Sequence, residues 1–274
     1  AADHNRDPAG ETHATSPIVR VLGLEARYGE RVILQDIDLD VEPGEIMVVM
    51  GGSGSGKSTL LRHMLALNRP ARGRVELFGR DLATLTGRER HELRRRMGVA
   101  FQGGALFNSL SVEDNVAFPL REHTRLDDNT VRIMARMKLE VVGLAGCERM
   151  MPAELSGGMV KRAALARAIV MDPALLFFDE PSAGLDPVVS AGLDELILRL
   201  RDTMGVTVIV VTHELESAFR IADRITVLDR GRVLVTGSKQ AVRDSDNERV
   251  QNLLNRRIEA VRINADDYIR RLTD

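Results

Sequence analysis

Gly51-Gly52-Ser53-Gly54-Ser55-Gly56-Lys57-Ser58-Thr59 follows directly on the apolar run Ile46-Met47-Val48-Val49-Met50 and runs into the helical pattern Leu60-Leu61-Arg62-His63-Met64-Leu65. With these flanks the stretch is strand, loop and helix, the context that a phosphate cradle requires. Glycines let the loop curl so that successive N–H groups point inward, and the helix N-terminus adds its partial positive charge. Lys57 then reaches the β- and γ-phosphates, and Ser58 offers a hydroxyl to Mg²⁺. A nucleoside triphosphate is the expected ligand.

The chain around this loop has 274 residues, 44% of them hydrophobic, enough to bury a sizeable core as one α/β domain with an inserted helical part. Two strand-like stretches, Ile18 to Ala26 and Arg31 to Val41, are bridged by Tyr28-Gly29-Glu30, which reads as a hairpin turn. Short apolar strands follow at Ile46 to Met50, Gly98 to Phe101, Ala174 to Phe178 and Val206 to Val211, separated by helical patterns. They predict a mostly parallel sheet covered on both faces. Arg224 to Asp229 and Arg232 to Thr236 read as a closing hairpin. Between Gly103 and Pro152 the period turns helical, with Val131, Met134, Met137, Val141 and Leu144 at three- and four-residue steps, the methionines read as core filler. The run Arg88 to Arg96 mixes both signs and reads as a solvated helix face.

No apolar run approaches the about 18 residues that cross a bilayer, so membrane association is expected only through a partner or a surface contact. A net charge of −2 leaves no electrostatic footprint for nucleic acid. The lone Cys147 can form no internal disulfide and fits a reducing cytoplasm. Residues 1–17 lack a basic and an apolar region and read as a mobile tail, without metal-ligand spacing around His4 and His13. At the far end, Val250, Leu254, Ile258, Val261, Ala265, Tyr268 and Leu272 recur at helical spacing, an apolar stripe that either packs on its own domain or docks on a neighbour.

A second set of motifs narrows the class. Leu155-Ser156-Gly157-Gly158-Met159 opens a helical run, and Leu175-Leu176-Phe177-Phe178-Asp179-Glu180-Pro181 reads as a buried strand ending in two carboxylates. Ser156 is a good N-cap, and the N–H groups of Gly157 and Gly158 open toward an anion, a second phosphate-binding terminus. Asp179 is placed to hold Mg²⁺ with Ser58 and bound water. Gln102, at the end of a strand where core meets insert, can ligate Mg²⁺ or the attacking water and register movement of the insert.

Tyr28, the phosphate loop, Gln102, Ser156-Gly157-Gly158, Asp179-Glu180, Ser182-Ala183-Gly184-Leu185-Asp186 and His213 stand in an order that resembles the ATP-binding cassette (ABC) family over roughly Ile18 to Gly237. The resemblance implies a P-loop NTPase fold: a mostly parallel core sheet, a small antiparallel β-subdomain and an inserted α-helical subdomain. The expected division is a tail over 1–17, an ATPase domain over 18–240 with its helical subdomain at about 103–160, and a C-terminal helical extension over 241–274.

It also implies an ATP hydrolase in which Glu180 polarises the attacking water, His213 contacts the γ-phosphate and orients water and Glu180, and Tyr28 stacks on adenine. Tyr28 could instead cap the small strands. In family geometry two chains form a head-to-tail ATP-sandwich homodimer, the signature of each covering the nucleotide of the other, with Asp186 at the seam.

Met159 departs from the family's usual Gln, which should alter contacts near the ribose and leave the chemistry intact. Gly103 to Phe107, Ala117 to Thr124 and Ser156 to Ala163 resemble the ATPases of bacterial Mce-type lipid transport, including the Mla phospholipid system. That implies a permease dimer, an Mce-type lipid-binding protein and an accessory subunit at the cytoplasmic face of the inner membrane. The segment Gly103 to Leu120, with Leu106, Phe107 and Leu110, is then the expected permease-coupling surface. A small-solute importer would use the same core motifs. A non-transport ATPase predicts tandem cassettes, a long coiled-coil insertion or a basic surface, none of which the sequence displays.

Overall fold

The computed structural model describes residues 16–256. Alternation, broken in each by a register irregularity, sets the first two strands: β1 (Val19–Tyr28) buries Val19, Val21, Leu24 and Ala26, and β2 (Arg31–Val41) buries Leu34, Ile37, Leu39 and Val41. They pair antiparallel from Val19 with Val41 to Tyr28 with Arg31, so the turn is only Gly29-Glu30 and Tyr28 closes a strand. All five residues of β3 (Ile46–Met50) are buried, and its end feeds the glycine loop and α1 (Lys57–Met64).

The next pair, β4 (Arg72–Leu77) and β5 (Arg80–Asp81), extends the first hairpin into an antiparallel sheet of order β2-β1-β4-β5. Thr86 and Glu89 form a reciprocal capping box at the start of α2 (Gly87–Arg94), where Arg88 and Glu92 pair at 3.2 Å along a mixed-charge face. After β6 (Met97–Ala100) come three helices, α3 (Val112–His123), α4 (Asp128–Val141) and α5 (Gly157–Ile169). The chain then runs through β7 (Leu175–Asp179), α6 (Pro187–Met204), β8 (Thr207–Thr212), α7 (Leu215–Ile221), β9 (Arg224–Asp229) and β10 (Arg232–Ser238). It ends, among the described residues, with α8 (Lys239–Arg243) and α9 (Glu248–Leu254).

The main sheet has the order β10-β9-β3-β8-β7-β6, parallel except for β10 at its edge. Strand alternation divides its apolar residues between two cores. Ile46, Val48, Met50, Leu176 and Phe178 face the helices α3 to α6, whereas Met47, Val49, Leu175 and Phe177 face α1 and the small sheet.

The helical stripe differs from its sequence reading. α4 buries Val131, Ala135 and Leu139, while Met137 is 59% and Val141 48% exposed in an outward row with Ile133. The buried face turns on Ala135, a small residue the pattern of large ones passes over. Met134 does pack against the core. In the C-terminal stripe Val250 is buried and Leu254 packs on the main core. Ile258, Val261, Ala265, Tyr268 and Leu272 lie outside the described residues, as do residues 1–15 with His4 and His13.

Candidate nucleotide site

Ligands of open parallel sheets sit beyond the carboxyl ends of the strands, and this edge carries the chemistry here. β3 ends in the glycine loop, β6 leads to Gln102, β7 ends in Asp179 before Glu180, and β8 ends in Thr212 before His213. Two glycines are dictated by space. A Cβ on Gly51 would lie 2.1 Å from the Leu228 carbonyl oxygen, and one on Gly56, at φ 107°, would lie 2.5 Å from Leu34 Cδ2. Gly56 is also the N-cap of α1 and supplies no side-chain acceptor, so the first N–H groups of α1 remain for an anion. Lys57 Nζ donates to the carbonyls of Gly51 at 2.8 Å and Gly52 at 3.0 Å. Burial pulls its pKa down, and the carboxylates of Glu180 and Asp179 push it back up.

Across the cleft, Glu180 holds φ 51°, a left-handed conformation costly for a residue with a Cβ. Its N–H donates to the Val211 carbonyl at 2.8 Å, tying the end of β7 to β8. Its Oε2 accepts from Thr212 Oγ1 at 3.1 Å and from the His213 N–H at 3.3 Å, and lies 2.9 Å from His213 Nδ1. The carboxylate is therefore aimed by three contacts from one turn. Burial, and then Glu180 beside it, raise the Asp179 pKa above the usual carboxylate range.

These groups enclose a cleft of about 620 Å³ lined by the loop residues Gly51, Gly52, Ser53 and Gly54, by Lys57 and Ser58, and by Gln102, Glu180 and His213. Ser55, Gly56 and Thr59 complete the loop and α1 without lining it, and Asp179, the last residue of β7, does not line it either. Tyr28 stands apart, half exposed on the flank of α1, where Arg62 Nη1 donates to its hydroxyl at 3.4 Å and lowers its pKa.

The signature is not brought to this cleft. Ser156 caps α5, accepting from the Met159 N–H at 3.3 Å, and Ser156 and Gly157 are exposed. Gly158 fits against α6, where a Cβ would lie 2.6 Å from Val189 Cγ1. Asp186 caps α6 through the N–H groups of Val188 and Val189, both at 3.0 Å, and beside it Val188 is 81% exposed.

Sequence reading passes over several participants. Thr212 orients Glu180, Lys161 donates to the backbone carbonyls of Gln102 and Glu180, and Asn252, Leu253 and Arg256 close one side of the cleft from α9 and the turn after it. Thr212 adjoins the recognised His213 and could have been found from it; the others depend on packing between distant segments.

A strand-end cradle facing an oriented carboxylate and histidine, with a second open helix terminus outside the cleft, is the arrangement of an ATP-hydrolysing cassette. The chain belongs to the ABC transporter family, whose model matches residues 34–183. It is 44% identical over 237 residues, covering 86% of this chain and 90% of the relative, to the intermembrane phospholipid transport system ATP-binding protein MlaF of Haemophilus influenzae. It is 41% identical, over 87% of this chain and 69% of the relative, to the "probable ribonucleotide transport ATP-binding protein mkl" of Mycobacterium leprae. Among solved structures it resembles the cassette MJ0796 in a dimeric post-hydrolysis state bound to ADP and Pi, at TM-score 0.74 and 31% identity over 80% of this chain and 98% of that one. It also resembles cbiO1 of Clostridium perfringens, part of the transporter complex cbiONQ, at TM-score 0.76 and 28% identity over 83% and 94%.

Proposed function

We propose that this chain is the ATPase that powers phospholipid movement between bacterial membranes, working on the cytoplasmic face of the inner membrane with a permease, an Mce-type lipid-binding protein and an accessory subunit. The identity to MlaF over nearly the full length of both proteins carries this reading. No helix among the described residues is long and apolar enough to cross a membrane, which fits a subunit held there by a permease. In this reading residues 18–240 form the ATPase domain with its helical part at about 103–160, and 241–274 extend it. The outward row Ile133, Met137 and Val141 offers an accessory subunit an apolar face.

In the cleft, Lys57 and the N–H groups of the glycine loop bind the phosphates, Glu180 takes the proton of the attacking water, and His213 holds Glu180 and the γ-phosphate in register. Tyr28 presents its ring to adenine. The donors Ser58, Asp179 and Gln102 all offer hard oxygens, and two neighbouring carboxylates, Asp179 and Glu180, suit a divalent cation. Mg²⁺ bound there would neutralise charge on the phosphates.

Asp179, held above the usual carboxylate range, keeps its proton to a higher pH than an exposed aspartate. Protons therefore compete with the cation, and the Mg²⁺ concentration for half-maximal ATPase rises as pH falls toward the acid side. Mg²⁺ titrations at several pH values check this, and a requirement that stays flat counts against Asp179 as a ligand.

Two copies pair head to tail, with Ser156, Gly157 and Gly158 of each over the nucleotide of the other and Asp186 and Val188 at the seam. The permease docks at Gly103 to Leu120. There Asn115 accepts from the Phe107 N–H at 2.7 Å and donates to the carbonyls of Phe107 and Leu110, both at 3.1 Å, so the loop is shaped while Phe107 stays 44% exposed against Phe118. Leu106 turns inward onto the core and does not share that surface.

Phe107→Asp should lose permease association and lipid transport, with ATP turnover of the isolated chain within about twofold of wild type. A folded variant that keeps both refutes the docking assignment. The transport reading itself is tested by purifying the native complex and identifying its lipids by mass spectrometry. Bound phospholipid supports it, and a complex without lipid whose ATPase at saturating ATP is stimulated by a further ribonucleotide would favour the mkl-like cargo.

A further inference from the structure

Helix α5 faces two ways. Its capped end, Ser156, is exposed, but one and a half turns along Lys161 sends its ammonium inward to the backbone carbonyls of Gln102 and, at 3.1 Å, Glu180. Those carbonyls belong to the residues that follow two different strands, β6 and β7. Further along the helix, Arg167 donates Nη1 to the Ala105 carbonyl at 2.8 Å and Nη2 to that of Gly104 at 2.9 Å.

Gly104 and Ala105 hold φ 74° and 48°, so the turn after Gln102 is a left-handed one gripped by α5. Burial lowers the Lys161 pKa, and the nearby carboxylates of Asp179 and Glu180 offset that only in part. A helix that needed only to pack on the sheet would place an apolar side chain at this position.

We propose that Lys161 is a positioning residue that makes Gln102 and Glu180 follow the signature helix: when a partner's nucleotide fixes Ser156, the ammonium seats both groups over this chain's own nucleotide. One site of the dimer then reports to the other through a single side chain. This rests on the reading that Glu180 acts on the attacking water and that Ser156 serves the partner.

Displacement of a reacting group by an ångström can cost about a hundredfold in rate, so Lys161→Met should lower kcat by about tenfold or more with KM for ATP within about twofold. The Hill coefficient for ATP should fall toward one. Lys161→Arg, whose guanidinium can still donate to two carbonyls, should recover most of the rate. Steady-state ATPase of the full chain in its complex reads these values, with Glu180→Gln in parallel and Lys161→Gln standing in if the Met variant does not fold.

A selective loss of kcat that Arg restores supports the proposal. Wild-type kcat and cooperativity in the neutral variants overturn it while a dead Glu180→Gln protein leaves the catalytic reading intact; a loss shared equally by KM, or one that Arg does not repair, also overturns it. If Glu180→Gln itself turns over normally, the catalytic reading fails and the positioning role fails with it.

Discussion

Glu180→Gln should bind ATP, hydrolyse it about 10²- to 10⁴-fold more slowly than wild type, and accumulate as a nucleotide-filled dimer. The magnitude is that of removing a positioned general base. The substitution is clean because the site is built on acceptance by one oxygen. Thr212 Oγ1, the His213 N–H and His213 Nδ1 all converge on Glu180 Oε2, and an amide oxygen can take the same place. What the amide cannot do is take a proton from water. With hydrolysis blocked the closed dimer loses its exit, so size exclusion in ATP shows the dimer while phosphate release stays near background.

Lys57→Ala separates binding from chemistry. It removes charge-assisted contacts worth about 1.5–3 kcal/mol each, so ATP affinity falls by roughly ten- to a hundredfold and no dimer builds up. Near-normal hydrolysis by Glu180→Gln would sink the assignment of the base.

Much of this site is legible in the sequence because local constraints fix it. A loop squeezed between Leu228 and Leu34 tolerates only glycine at Gly51 and Gly56, and a carboxylate pair at the end of a fully buried strand has nowhere to go but the sheet edge. The strands β3 and β9 could be placed to the residue because their apolar runs stop at charges or at the glycine loop. The hairpin of β4 and β5 has no comparable signal. Only Val75 and Leu77 of β4 are buried, and the surrounding Arg72, Arg74, Glu76 and Arg80 mask so short an alternation. Lys161 was unreadable for another reason: its partners lie 59 and 19 residues away, and nothing local distinguishes a lysine that bonds backbone carbonyls from one in water. The lining by α9 is similar, since Leu253 lies outside the apolar stripe that announced the helix.

The shared-site geometry has the second large expected effect. Ser156→Arg and Lys57→Ala proteins should each be nearly inactive alone, yet a mixture allowed to exchange should regain turnover. The reason lies in where the two helix ends point. α1 opens its N-terminus into the cleft, whereas Ser156 and Gly157 at the start of α5 are exposed and line no part of it. Asp186 and the exposed Val188 lie on that same flank, where the proposed second copy would sit.

In the proposed head-to-tail dimer each site would take Lys57 from one chain and Ser156 from the other. A heterodimer of the two variants therefore carries both defects in one site and leaves the other whole. Each heterodimer carries one sound site of two, so turnover per heterodimer should approach about half that of a wild-type dimer if the sites act independently. The Ser156 change removes a cap worth about 1 kcal/mol, too little to unfold a domain of this size, so its inactivity alone reports the lost phosphate contact. ATPase is measured on the mixture in excess ATP, with fluorescence energy transfer between labelled variants confirming that heterodimers form. A mixture that exchanges and stays as inactive as either parent would mean that each chain hydrolyses ATP with its own signature, a geometry that α5 could reach only by leaving the packing described here.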